Sequence, residues 1–84
     1  MKFRQFMAMP VVRQAFQITP RHRVSQSAYD ACLYQISDLD NLDDGVGTFI
    51  SYEIPAVGDW VVKGIDTSPY HCTDETFRKN YLVP

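Results

Sequence analysis

Hydrophobic and polar side chains alternate along residues 10–19, whose sequence is PVVRQAFQIT. Val12, Phe16 and Ile18 fall on one face, whereas Arg13 falls on the other. A period of two is typical of a strand that buries one face, so this segment predicts the first strand of a sheet. The next four residues, PRHR, are polar and predict a connector.

The spacing of apolar residues changes to that of a helix over residues 27–39. Apolar side chains recur there at three- and four-residue steps, a spacing that predicts a helix with one apolar stripe. Ser27 is a suitable N-cap, and Asp30, three residues later, is an acidic variant of the capping box. Asp, Asn and Gly residues in DLDNLDDGVG favour a turn that ends this helix. The predicted stripe consists of Ala28, Ala31, Cys32, Ile36 and Leu39.

Two further strands are predicted after that turn. Residues 47–54 (GTFISYEI) alternate, and residues 59–65 (DWVVKGI) are rich in β-branched and aromatic side chains. Between them, PAVG at 55–58 has the Pro and Gly of a tight turn. Two strands joined by a short turn that contains Gly typically form an antiparallel hairpin, so we expect these two strands to pair.

A short strand and a brief helix are predicted at the end of the chain. YHC at 70–72 follows the turn DTSP and predicts a returning strand. Thr73 is a suitable N-cap for the helix, whose acidic first turn and basic last turn suit the helix dipole. Phe77 and Tyr81 are four residues apart and would pack this helix onto the sheet. The charged residues of those turns are Asp74, Glu75, Arg78 and Lys79.

These elements predict an α+β fold. We expect a small antiparallel sheet of three to four strands, with one main helix packed on one face and a short C-terminal helix. A chain of 84 residues is long enough for one small domain, so residues 1–84 are expected to form a single domain. Its core is expected to be thin, with roughly 60–65% of the unfolded surface buried, which leaves little room for a deep active site.

Charge is distributed unevenly along the chain. The net charge of −2 provides no global attraction to nucleic acid or to an anionic membrane. Residues 1–24 contain basic but no acidic side chains, and residues 38–44 contain acidic but no basic ones, which predicts two solvated faces of opposite sign. The basic residues are Lys2, Arg4, Arg13, Arg21 and Arg23, and the acidic residues are Asp38, Asp40, Asp43 and Asp44.

The two cysteines, Cys32 and Cys72, permit one disulfide. The chain shows no secretory signal and no apolar stretch of the length that a membrane span needs. These features favour a reduced cytosolic compartment, no membrane association, and two free thiols that fill space as small buried hydrophobes.

Candidate chemistry is sparse. Cys32, Cys72, His22 and His71 are four zinc-type ligands, but no tight C-x₂-C pair is present, and DLDNLDDG fits no register of a calcium loop. We therefore predict no metal and no cofactor. Cys72 immediately precedes the C-terminal helix, whose dipole would lower the pKa of its thiol, and this keeps a cysteine-dependent enzyme as an alternative.

The segments GDWVVKGI and YHCTDETFRKNY resemble the C-terminal signature of a group of short phage and prophage proteins, and PVVRQAFQ resembles the group's opening strand. His71 stands where the group tends to have proline, and Pro69 where it tends to have an aromatic residue. Thr73 and Asp74 replace the group's usual Lys-Pro, and Arg13–Gln14 replace Val-Glu. The resemblance implies a phage origin and little about activity, because members of the group are generally labelled uncharacterised. The matching positions are Gly58, Asp59, Trp60, Lys63, Gly64, Tyr70, Cys72, Phe77 and Tyr81.

Together these observations favour a non-enzymatic phage accessory protein. Our hypothesis is that it binds a host or phage macromolecule, in the first place a protein, and inhibits or redirects it. One alternative is a small single-stranded nucleic-acid-binding module that stacks bases on exposed aromatic side chains. Its surface would consist of Arg13, Arg21, Arg23, Lys63, Tyr52, Trp60 and Tyr70. An unpaired edge strand would also permit a homodimer. The predicted binding residues are Asp59, Trp60, Lys63, Tyr70 and His71, together with Asp40, Asp43 and Asp44 of the acidic segment.

Overall fold

The computed structural model describes residues 1–8, 11–64 and 67–80. These residues form seven strands, a one-turn 3₁₀ helix and one α-helix. The strands are β1 (Arg4–Ala8), β2 (Val11–Gln17), β3 (His22–Gln26), β4 (Leu33–Asp38), β5 (Val46–Ile50), β6 (Trp60–Lys63) and β7 (Tyr70–Cys72). The 3₁₀ helix is Leu42–Asp44 and the α-helix, α1, is Asp74–Asn80.

All seven strands belong to one mixed sheet in the order β1-β2-β6-β7-β5-β4-β3. Neighbouring strands are antiparallel except β5 and β7, which are parallel and pair at Ile50 and Tyr70. The predicted hairpin of residues 47–54 with 59–65 is therefore wrong, because β7 lies between β5 and β6. The turn residues of PAVG shape the chain locally, but strand order depends on pairing across the whole sheet.

The predicted main helix over residues 27–39 is also wrong. Residues 27–32 form a turn, in which Ser27 Oγ and Asp30 Oδ1 accept backbone hydrogen bonds, and β4 follows. Tyr34 and Ile36 in β4 are buried, whereas Gln35 between them is exposed. The sequence of this segment fits both the two-residue period of a strand and the spacing of a helix. It forms a strand because it pairs with β3 on one side and with β5 on the other. The fold is thus a seven-stranded mixed sheet with one short helix, rather than the predicted α+β arrangement with a main helix.

Other predicted elements are confirmed. The strand over residues 10–19 corresponds to β2, that over 59–65 to β6, and YHC to β7. The C-terminal helix begins after Thr73, whose Oγ1 accepts a hydrogen bond from the backbone N–H of Thr76 over 3.2 Å. Tyr81, the predicted packing partner of Phe77, lies outside the described residues. β1 and β3, which form the edges of the sheet, were not predicted.

The sheet buries a cluster of side chains on each face. The first cluster lies under α1, where the ring of Phe77 stacks on Trp60 at a centroid distance of 3.8 Å. The second lies on the opposite face, and the sheet curves around it. The ring centroids of Phe16 in β2 and His22 in β3 are 5.6 Å apart, although four strands separate β2 from β3 in the sheet. The first cluster contains Phe6, Ala15, Trp60, Val62, Cys72 and Phe77, and the second contains Phe16, Ile18, Tyr34, Ile36, Phe49 and Val61.

Candidate binding site

Residues 51–59, which we call the β5–β6 loop, join two strands that are not neighbours. The loop leaves β5 after Ile50 and returns at Trp60, so it has to cross the end of β7, which lies between them. The crossing places the loop beside His71 in β7 and beside the start of α1. Residues of the loop, β7 and α1 therefore meet where β7 ends.

Asp59 anchors the C-terminal end of this loop. Its side chain is only 15% exposed, and its Oδ2 lies 2.7 Å from His71 Nε2. Oδ2 also accepts a hydrogen bond from the backbone N–H of Ala56, and Oδ1 accepts one from that of Asp74. Because a carboxylate accepts hydrogen bonds only, His71 donates from Nε2. One carboxylate thus ties together the loop, β7 and α1.

Ser51 anchors the other end of the loop. This buried side chain donates from Oγ to the carbonyl oxygen of Glu53 and accepts from the backbone N–H of the same residue. The backbone N–H of Ser51 donates to the carbonyl of Cys32 over 2.8 Å. Near the far end, Gly58 adopts a φ of 98°, a left-handed conformation that favours glycine. Both ends of the loop are therefore fixed by hydrogen bonds.

The middle of the loop exposes large apolar side chains, which we call the apolar tip: Tyr52, Ile54 and Val57. They are 88%, 86% and 62% exposed, respectively. An isolated exposed apolar residue is ordinary on a protein surface, whereas a group of them on one segment indicates a contact surface. Sequence analysis named Tyr52 only as a residue that could stack bases and did not group it with Ile54 and Val57, because YEI was assigned to a strand. Pro55 was the available signal, since proline is unfavourable inside a paired strand.

An open cleft of about 610 Å³ lies between the loop and β7. Its walls include the side chains of Ile50, Ser51, Tyr52, Glu53, Tyr70 and His71. The imidazole of His71 is 4% exposed, and its Nδ1 lies 3.8 Å from Oε1 of Glu53, whose side chain is 63% exposed. The cleft thus combines two tyrosine rings, one accessible carboxylate and one ring nitrogen.

The structure brings three of the predicted site residues together here: Asp59, Tyr70 and His71. Trp60 lies in the core beneath them, where its ring stacks on Phe77 and its indole N–H donates to Asp74 Oδ1 over 2.9 Å. This bond, followed by one from Arg78, lowers the pKa of the Asp74 carboxyl. A buried indole offers no platform for stacking bases, so the surface proposed for nucleic acid lacks its tryptophan.

The remaining predicted residues lie elsewhere. Lys63 is at the far end of β6, with Nζ 4.3 Å from the centre of the Phe3 ring. Asp40 accepts a two-pronged hydrogen bond from exposed Arg21, which lowers the pKa of the Asp40 carboxyl. Asp43 is exposed in the 3₁₀ helix, and Asp44 pairs with the amino group of Met1. These three aspartates precede β5, whereas the cleft follows it.

The pKa of the Cys72 thiol is shifted in the direction opposite to the predicted one. Burial raises its pKa, and the negative charge of Asp59 raises it further, whereas the helix dipole was expected to lower it. A raised pKa disfavours the thiolate that a nucleophilic cysteine requires. Cys72 is one of two free cysteines and fills space in the first cluster, as predicted, while Cys32 is only partly buried.

Comparisons with known proteins leave the site to be interpreted from its own chemistry. No protein-family model matches the chain, and searches of curated proteins and of solved structures found no match. Within residues 1–8, 11–64 and 67–80, no three His, Cys, Asp or Glu side chains converge as metal ligands. In that same part of the chain, no helix has the length and apolar character to cross a bilayer.

Proposed function

We propose that the protein is a non-enzymatic accessory protein that binds another protein through the β5–β6 loop. The observation that carries this proposal is the apolar tip, which is exposed on a loop whose two ends are held by hydrogen bonds to the buried Ser51 and the mostly buried Asp59. An 84-residue chain has few large apolar side chains for its core, so three exposed together on one short loop favour burial against a partner.

The anchoring of the loop supports the same proposal. A segment that is already ordered loses less conformational entropy on binding than a flexible one. Burial of each large apolar side chain of the tip in a complex would contribute about 1.5–3 kcal/mol. Tyrosine combines a large apolar ring with a hydroxyl group and is enriched among the residues that dominate interface energies, so Tyr52 is the expected centre of the contact.

The partner we propose is a host or phage protein in the bacterial cytoplasm, which the accessory protein inhibits or redirects. Support for the phage setting comes from the resemblance of GDWVVKGI and YHCTDETFRKNY to short phage and prophage proteins. Asp59 and Phe77, two of the residues that carry this resemblance, anchor the loop and pack α1 beneath it. The shared signature would therefore maintain the scaffold of the loop, and the loop itself would determine the partner.

Affinity capture from a bacterial lysate tests this function. We expect the wild-type protein to retain one protein reproducibly, and the double variant Tyr52→Ser/Ile54→Ser to lose it. Leu42→Ser/Val46→Ser is the matched control, because it removes two exposed apolar side chains at the other end of β5 and should leave capture unchanged.

Equal capture by the loop variant and the wild type would contradict the proposed interface. A second outcome would replace the proposal altogether. If the wild-type protein captured no protein but shifted labelled oligonucleotides, with an affinity that fell steeply as salt increased, a nucleic-acid-binding module would be the better assignment.

A further inference from the structure

The cleft between the β5–β6 loop and β7 contains two hydrogen-bond acceptors that face each other. His71 donates from Nε2 to Asp59, so Nδ1 is an acceptor whenever the ring carries a single proton. The carboxylate of Glu53 is the other acceptor, and its Oε1 lies 3.8 Å from Nδ1. This distance exceeds that of a hydrogen bond, so the two atoms do not satisfy each other and leave room for a donor between them. A group with several N–H donors would satisfy both.

The charge of the cleft favours the same kind of group. Within the described part of the chain, the Glu53 carboxylate has no lysine or arginine partner, and the basic group nearest to it is the imidazole of His71. Asp59, the neighbouring carboxylate, already accepts from Ala56, His71 and Asp74. Glu53 therefore provides the accessible negative charge at the mouth of the cleft.

The walls of the cleft suit a flat cation. Tyr52 and Tyr70 both line it, and the face of an aromatic ring attracts a guanidinium or ammonium group. A guanidinium is planar and carries five N–H donors in a fixed fork, so it could reach Glu53 and His71 Nδ1 while it lies against a ring. A volume of about 610 Å³ also accommodates the aliphatic part of such a side chain and the backbone beside it.

We propose that this cleft receives a basic side chain of the partner protein, with arginine as the best match. The inference rests on the proposed function, since it identifies the chemistry that the partner presents next to the apolar surface contacted by the loop. Glu53 would bind the charge, His71 would accept one further N–H, and Ser51 and Asp59 would hold these two groups in position.

Titration of the ¹⁵N-labelled protein with N-acetyl-arginine amide, followed by NMR, tests the inference. We expect saturable shifts of the backbone resonances of Ser51, Glu53, Ser68 and His71. N-acetyl-citrulline amide has the same shape without the charge and should bind at least about tenfold more weakly. Glu53→Gln should abolish the response, whereas Glu75→Gln, which neutralises an exposed carboxylate on α1, should preserve it.

Equal affinity for the arginine and citrulline probes, or an unchanged response in Glu53→Gln, would overturn the inference. Its failure can be distinguished from that of the proposed function. If Tyr52→Ser/Ile54→Ser lost the partner while Glu53→Gln kept it fully, the loop would remain the interface and the basic side chain would be excluded. If neither variant lost the partner, the proposed interface itself would be wrong.

Discussion

Two connections flank β5, and they are stabilised in different ways. The connection before β5, residues 39–45, and the β5–β6 loop after it both carry carboxylates and exposed apolar side chains. In the first connection both side chains of the Arg21–Asp40 pair are more than half exposed, and such pairs contribute little to stability. In the second, Asp59 is mostly buried and accepts three hydrogen bonds. A carboxylate thus organises the chain around it where water is excluded.

Exposed apolar residues occur on both connections, but the chain that carries them is held differently in each. Leu42 lies on a connection with a surface pair at Asp40 and a contact between Asp44 and the amino group of Met1. Tyr52 and Ile54 lie on a loop whose two ends are fixed by hydrogen bonds. Fixed ends reduce the conformational entropy that the β5–β6 loop would lose on binding a partner. The predictions below test whether the two connections differ in this way.

The largest effect is expected for Asp59→Ala. This change leaves the N–H groups of Ala56, His71 and Asp74 without their acceptor, so the free energy of unfolding should decrease by about 1–3 kcal/mol. Urea denaturation measures it. Asp59→Asn keeps one acceptor oxygen, so its free energy of unfolding should decrease less. If neither variant changed the free energy of unfolding beyond the error of the measurement, Asp59 would not anchor the loop.

A smaller effect is expected for Ser51→Ala. The buried hydroxyl of Ser51 bridges the carbonyl and the N–H of Glu53, and its removal should decrease the free energy of unfolding by about 1 kcal/mol. Amide hydrogen exchange should show faster exchange at Glu53, with no change in the connection before β5. Unchanged protection at Glu53 would contradict the assignment of Ser51 as the second anchor.

Histidine protonation should destabilise the end of the sheet that carries the first connection. Burial lowers the pKa of His22 below 6.5, although Asp38 and Asp40 oppose this shift, and the neutral ring accepts from the backbone N–H of Thr19 at Nδ1. The unfolded chain therefore binds more protons than the folded protein below about pH 6.5. The contribution of His22 to stability is complete above that pH and is lost as the pH falls through the lowered pKa.

Thermal melts at about pH 7.5 and about pH 5.5 measure this dependence. His22→Asn retains a side-chain oxygen as acceptor but does not titrate, so its melting temperature should fall less on acidification than that of the wild type. An identical fall in both proteins would assign the pH dependence to other groups.

The smallest effect is expected for Asp40→Asn. The change weakens the pair with Arg21, but both side chains are more than half exposed. Exposed pairs are screened by water and salt, so the melting temperature should not change measurably at physiological ionic strength. A decrease as large as that for Ser51→Ala would mean that the first connection is anchored after all, and the contrast between the two connections would disappear.

Sequence analysis predicted individual elements better than their arrangement. β2, β6, β7 and α1 follow from alternation, β-branched residues and a capping threonine, all of which act within a few residues. The segment around β4 was assigned to a helix because Cys32, Ile36 and Leu39 also fit helical steps. A six-residue strand contains too few positions to distinguish the two periods. Pairing with β3 and β5 determined that the segment is extended.

The candidate site was predicted in part for the same reason. Asp59 and His71 were predicted as site residues because both lie in residues 59–71, a stretch that combines polar and aromatic side chains. Glu53 and Ser51 were missed as site residues, since they come from a stretch assigned to a strand. Their approach to His71 depends on the crossing of the loop over β7, and no local pattern encodes a pairing between strands that are distant in sequence.

The sequence by itself determined that the segments of β2, β6 and β7 extend, where α1 begins, and that Cys72 would belong to the core. These outcomes depend on backbone preferences and side-chain polarity, which act over short distances along the chain. Only the tertiary structure decided that β7 lies between β5 and β6, and hence that one loop brings Glu53, Asp59 and His71 together. Strand order is set by the burial of both sheet faces at once, and this is a property of the whole chain.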